Sequence, residues 1–327
     1  MKKDRVRMIN RRRFLEIGSL AVSALAMPAA LLASNIVPGH WRRMAELPFA
    51  VQEIYPVIQG EYIHVAGGFR VEEKGVKPTT AHIQYSIKHD SWRELSSLPE
   101  VRHHPNLVSC RNSIYALGGF KPVSTGGWEM QSQAWLYDLR EDEWSTEPAA
   151  PEPHGESVSL TFNGHIHVVG GRTPKAERNS TYQDHTDTNR HLLFDPSNGS
   201  WKRLAPALHA RNSAAGAVIK NSLYVVGGRT VEGGNVKFLE VYDTAEDKWR
   251  LAAPMPQAQG GLAAAEIAGQ LVAQTLFDRH VLDSLRNTVV QQNIGTLVVR
   301  TCAGLSPGFR FTTDQKHHPS NDEHPTC

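Results

Sequence analysis

The stretch Tyr62-Ile63-His64-Val65-Ala66-Gly67-Gly68 decides the fold because it comes back. Three more short apolar runs end in the same doublet, at Gly118-Gly119, Gly170-Gly171 and Gly227-Gly228. Trp recurs beside them at Trp41, Trp92, Trp144, Trp201 and Trp249. From each of the first four Trp to the next doublet the spacing is 26 residues. Seven residues before each of the last four Trp stands an aromatic: Tyr85, Tyr137, Phe194 and Tyr242. Asp follows that aromatic at Asp138, Asp195 and Asp243. Two spacings held this tightly define a repeat of about 50 residues, in the range of propeller blades and other arrays.

Each repeat reads as four short strands. In the last complete one these are Ala214–Ile219, Leu223–Val226, Phe238–Tyr242 and Trp249–Leu251. Lys220-Asn221-Ser222 turns the first hairpin and residues 245–248 the last. Four antiparallel strands per repeat form the blade of a β-propeller. The doublet then ends the second strand, where crowding favours the absence of a Cβ and the chain needs a positive φ. The Trp and the aromatic seven residues before it are plates that fill the space between twisted blades.

The doublet, the spaced Tyr and Trp, and a Pro-rich segment before the next strand resemble kelch repeats over residues 41–273. That resemblance implies an all-β, kelch-type propeller. Six blades are expected; four complete blades and part of a fifth are readable. Trp41–Leu47 reads as an outer strand that closes the ring. The architecture also resembles the copper domain of galactose oxidase, but that domain's Tyr and His ligands find no counterparts here. No cofactor and no metal are expected; the three Cys (Cys110, Cys302, Cys327) stand in no zinc spacing.

The pattern stops at a definable place. The next doublet is due at Thr275-Leu276, and from Gln274 onward there is no Gly-Gly, Trp or Tyr. Residues 274–327 are therefore read as a divergent tail. Two readings stand, a native element or a shifted reading frame that leaves disordered sequence, and the abruptness favours the second.

The net charge of +2 conceals an asymmetry, since residues 1–33 carry a net +5 and the remainder −3. A mildly acidic body argues against nucleic acid as a partner. The leader has a basic start and then no charge from Ile17 to Gly39. Arg11, Arg12, Phe14 and Leu15 resemble the twin-arginine export signal, although the usual Ser/Thr before the pair and Lys after the Leu are missing. Residues 1–33 are read as a signal peptide or, if uncleaved, an anchor that is the chain's one contact with a membrane. Either reading places the body in the periplasm or outside a bacterial cell.

Loops on a rigid scaffold are the usual place for recognition. The loops after the doublets and those entering each repeat leave the sheet on one face. After the doublets come Phe69-Arg70, Phe120-Lys121, Arg172-Thr173 and Arg229-Thr230. Ten residues after successive Trp stand Val51, Arg102, His154, Arg211 and Gln259, with His103, His104 and His209 nearby. Arg70, Arg102, His103, Lys121, His154, Arg172, Arg211 and Arg229 are thus the candidate ligand-binding residues. A cationic mouth favours a small anionic ligand, an acidic sugar, or an acidic protein or peptide segment; the competing reading makes the arginines staples of their own loops. Trp128 offers a stacking surface or a loop anchor. The long loop 173–190 holds Asp184, His185 and Asp187, with His191 beyond; it reads as a solvated polar loop.

No nucleophile elbow, phosphate loop, zinc-protease or dinucleotide motif occurs. The chain is therefore read as an exported binding module, more a binder than an enzyme. The alternative is an acidic-sugar mutarotase or epimerase, because the kelch resemblance extends to exported sialic-acid mutarotases. It would draw its acid and base from His154, His103, Glu266 or His209; no catalytic residue is assigned.

Overall fold

The computed structural model describes residues 44–73, 75–124 and 126–275; the leader, Trp41 and the tail beyond Thr275 lie outside them. Four sheets of four antiparallel strands follow one another in chain order. The first holds Val57–Gln59, Tyr62–Ala66, His82–Ser86 and Ser91–Leu95. The second holds Asn106–Cys110, Ser113–Leu117, Ala134–Asp138 and Glu143–Glu147. The third holds Val158–Phe162, His165–Val169, His191–Asp195 and Ser200–Arg203. The fourth holds Ala215–Ile219, Ser222–Val226, Leu239–Asp243 and Lys248–Ala252. A hairpin of Leu262–Ile267 and Gln270–Thr275 begins a fifth. The first strands of successive sheets pack against one another, so the sheets are blades around a common axis.

Alternation along each strand builds the core, because both faces of a blade are covered. Ile114 and Ala116 pack with Ala66, Leu95 and Leu98 of the first blade. Their neighbours Tyr115 and Leu117 face the other way, onto Ile166, Val168 and Phe194 of the third. Val158, Val169 and Ala207 meet Ala214 and Val225 between the third and fourth.

The repeated Trp also ties blades together by hydrogen bonds. Its indole N–H donates to the carbonyl four residues after the preceding Trp position: Trp92 to Ala45, Trp144 to Ser96, Trp201 to Pro148 and Trp249 to Ala205, at 2.8–3.1 Å. Two residues before the Trp, Asp90, Asp142 and Asp247 accept the backbone N–H of Ala45, Ser96 and Ala205. The same carboxylates accept the hydroxyls of Tyr85, Tyr137 and Tyr242. The third blade lacks all three parts at once. Pro148 has no N–H, Gly199 has no carboxylate and Phe194 has no hydroxyl.

The doublets sit at positive φ, for example 70° and 91° at Gly67 and Gly68. A Cβ on Gly67 would lie 2.5 Å from the Arg102 carbonyl oxygen, and one on Gly228 would lie 2.8 Å from that of Asn212. Each doublet is thus clamped between the entry segment of its own blade and that of the next. The second glycine donates its N–H to the residue ten after the next Trp: Arg102, His154, Arg211 and Gln259.

The connections after the doublets are not open loops. Each forms a small hairpin: Phe69–Glu72 with Gly75–Pro78, Phe120–Pro122 with Trp128–Met130, Arg172–Pro174 with His185–Asp187, and Arg229–Thr230 with Gly234–Asn235. Within the long loop 173–190, residues 173–174 and 185–187 are strand and Tyr182–Asp184 is a short turn, while Lys175–Arg178 between them are exposed. At the other end, Met44–Leu47 carries no strand assignment, and Trp41 lies outside the described residues.

Candidate ligand face

The four hairpins form one linked wall. Phe69 of the first meets Trp128 of the second edge to face, at 5.1 Å and 75°. Trp128 donates its backbone N–H to Ser180, and Asn179 exchanges two hydrogen bonds with the Met130 backbone. Asp184 holds that segment by accepting the N–H groups of Ser180 and Thr181. Asp187 of the third hairpin accepts from Asn212 and from the Val231 backbone N–H of the fourth. Trp128 is thus a loop anchor joined to its neighbours.

Beneath the wall lies a position the sequence reading passed over. Twelve residues after each Trp position stand Glu53, His104, Glu156, Ser213 and Gly261, all at φ between 49° and 64°. Left-handed backbone at Glu, His and Ser is strained and persists only where the surroundings fix it. Here His104 donates its N–H to Glu53, Ser213 to Glu156, and Gly261 to Ser213. The side chains follow: His104 Nε2 lies 2.5 Å from Glu53 Oε2. Glu156, 4% exposed, meets Ser213 Oγ, Arg172 at 3.4 Å and Arg229 at 3.2 Å. The cations around Glu156 hold its carboxyl below the usual range although burial pushes it up.

The expected ligand residues divide by exposure. Arg70 is exposed and lies over the Phe49 ring at 4.4 Å. Arg229 keeps 42% of its side chain exposed and Lys121 keeps 29%. Lys121 stands 3.5 Å from Glu100 and 3.8 Å from Glu129. The others are buried. Arg102 is fully buried over the Trp135 ring at 4.5 Å, with one bond to Glu100, and burial lowers its pKa to about 10. Arg211 bonds Glu240, the His209 carbonyl and the Val225 carbonyl. Arg172 lies 4.3 Å over the Tyr182 ring. His103 is stacked between Phe69 and Phe120, and burial takes its pKa down to about 2. His154 packs against Gly118 and bonds the Glu152 carbonyl.

These groups do gather on one face, but carboxylates are interleaved with them. Arg102 and Arg211 use corresponding places in their blades: each reaches the second residue of its third strand, which is Trp135 in one blade and Glu240 in the other. The cation meets an aromatic face in one blade and a carboxylate in the other, while Arg102 Nε and Nη1 and Arg211 Nε are buried without a hydrogen-bond partner.

Among the described residues, the four side chains named for acid–base work are not hydrogen-bonded to one another. His209 bonds Glu240 and stacks on Phe238 at 3.9 Å. Glu266 accepts the Gly269 N–H in the fifth hairpin. His191 bonds His167, and no group of three or more His, Cys, Asp or Glu among the described residues is placed to hold a metal ion.

Comparison with known proteins agrees with this architecture. The Kelch motif model matches residues 210–256, the fourth blade with the segment that enters it. The chain is 27% identical over 248 residues to Kelch-like protein terF of Aspergillus terreus, covering 72% of this chain and 53% of that one. It is 22% identical over 265 residues to Kelch-like protein 23 of Mus musculus, covering 67% and 44%. A solved structure titled "Structure of YjhT" superimposes with a TM-score of 0.60 at 18% identity, over 70% of this chain and 74% of that one. The matches support a kelch-repeat protein with a kelch-type β-propeller fold. The chain spans about half the length, or less, of these curated relatives.

Proposed function

We propose that the protein is a binding module whose ligand surface is the wall of four hairpins, and that it takes an acidic protein or peptide segment there. The observation that carries this reading is the split in exposure. Arg70 and Lys121 reach solvent from two hairpins, and Arg229 of the fourth keeps 42% of its side chain exposed while it also bonds the buried Glu156; Arg102, Arg172 and Arg211 are buried against internal partners. The wall is cross-linked before any ligand arrives, so little ordering cost falls on binding. Tyr182 at 50% exposure, with Val71 and Val76 at 39% each, adds apolar surface to the same hairpins. The relatives named above are kelch-like proteins, and this reading takes the propeller of the present chain as a protein-interaction module.

The reading is tested by titrating the protein with a polyglutamate peptide and with an acidic sugar, sialic acid, while the sugar's anomer exchange is followed by NMR. Saturable, salt-sensitive peptide binding with unchanged anomer exchange is expected. Faster anomer exchange would transfer the face to the mutarotase reading. Export through the twin-arginine route to the periplasm or beyond belongs to the same proposal and rests on Arg11, Arg12, Phe14 and Leu15.

A further inference from the structure

Two buried His–His pairs occupy corresponding places two blades apart. His64 Nδ1 lies 3.0 Å from His82 Nε2 in the first blade. His167 Nδ1 lies 2.8 Å from His191 Nε2 in the third. All four imidazoles are 3% exposed or less. Each pair faces the next blade. His82 meets the Tyr137 ring edge to face at 4.6 Å and Trp144 at 5.3 Å. His191 meets Tyr242 at 4.5 Å and Trp249 at 5.5 Å. These are the same Tyr and Trp that carry the bonds between blades. The boundary between the second and third blades is built instead from Val108, Cys110, Leu117, Ile166, Val168 and Phe194, with no such pair.

We propose that these pairs are acid-opened latches, which release the first blade from the second and the third from the fourth while the boundary between the second and third holds. A hydrogen bond between two imidazoles needs one donor and one acceptor, so a second proton turns each pair into two facing donors. The surroundings do not compensate. Around the first pair stand Gln84, which bonds His64 and Arg93, the Ser96 carbonyl beside His82, and Asp142 behind Tyr137. Arg93 disfavours a cation there and Asp142 favours one. Around the second pair stand His165 on the His167 strand, and Asp247 and the Ala205 carbonyl near His191.

Burial holds His64 and His167 down to about 4, and His82 and His191 down to about 3. In the unfolded chain an imidazole titrates near 6.5. Above that pH neither state carries the proton and the pairs cost nothing. Below it the unfolded or opened chain takes up protons that the closed blades refuse, so stability falls as pH drops towards 4. At pH 5 this amounts to about 30-fold in the closing equilibrium for each imidazole.

The test compares wild type with a variant carrying His64→Leu, His82→Phe, His167→Leu and His191→Phe. Thermal unfolding and hydrogen exchange are followed from pH 7.5 to 4.5. Wild type is expected to lose protection first in strands at the first–second and third–fourth boundaries. The variant is expected to keep that protection at about one pH unit lower or more. A variant with the wild-type pH profile would overturn the proposal. A second measurement needs no variant: the imidazole proton signals of wild type are titrated by NMR. Four imidazoles titrating reversibly near pH 6.5, with protection at those boundaries unchanged, would also overturn it.

Discussion

Single residues in this chain are constrained through their backbone more than through their side-chain chemistry. Gly67 is held at φ 70° against the Arg102 carbonyl. Gly67→Ala should therefore cost about 2 kcal/mol or more, since left-handed strain and a backbone contact add; a chemical-denaturation midpoint measures it. The third blade offers a sharper case. Gly199→Asp alone should destabilise, because a Cβ there would lie 2.7 Å from Pro148 Cγ. Combined with Pro148→Ala and Phe194→Tyr, it should restore the Tyr–Asp–backbone link of the other blades and recover stability by about 1–3 kcal/mol. A triple variant no more stable than the single one would refute the assignment of that link.

At the scale of elements, the buried arginines and the hairpins make separable predictions. Arg211→Gln leaves the fully buried Glu240 carboxylate without its guanidinium and should cost about 3–5 kcal/mol. Asp187→Ala should raise hydrogen exchange at the Val231 amide, which that carboxylate holds, with little change in melting temperature. What the sequence disclosed at this scale follows from what repeats. Blade strands were legible because a covered blade demands apolar residues on both faces, and Trp and Gly-Gly fall at places where no other side chain fits. The fourth blade's strands agree within a residue or so with their expected bounds. The hairpins were not legible, because strands such as Arg229–Thr230 and Gly234–Asn235 are too short and polar to show a period. The axial position twelve after Trp escaped for another reason. Glu53, His104, Glu156, Ser213 and Gly261 share a backbone angle and no chemistry. Counting from Trp would have found the place, but nothing in residue type marks it.

For the whole molecule, the described residues give four blades and the first hairpin of a fifth. Ile58 at 49% and Tyr62 at 37% are exposed on the first blade, and Leu251 at 55% on the fourth. Gln274 and Thr275 pair with Ala263 and Leu262, so the last strand runs two residues past the expected boundary at Ala273. If residues after 275 do not supply further blades, limited proteolysis should remove the C-terminal segment and leave a core ending near Thr275. A full-length, protease-resistant monomer would show that the tail folds. Replacing Arg11, Arg12 and Arg13 together by Lys should stop export; continued periplasmic accumulation would remove the twin-arginine assignment.

The central claim is that the arginines of one face divide into an exposed set that meets the ligand and a buried set that holds the blades. Arg70→Gln and Arg211→Gln, measured side by side for polyglutamate affinity and melting temperature, test it most directly. Arg70→Gln, at an exposed cation over the Phe49 ring, should weaken binding about tenfold, on the order of 1.4 kcal/mol, at nearly constant melting temperature. Arg211→Gln should lower the melting temperature by several degrees and leave the affinity of the folded protein unchanged. The reverse pattern, or two variants that bind and melt like wild type, would contradict the account.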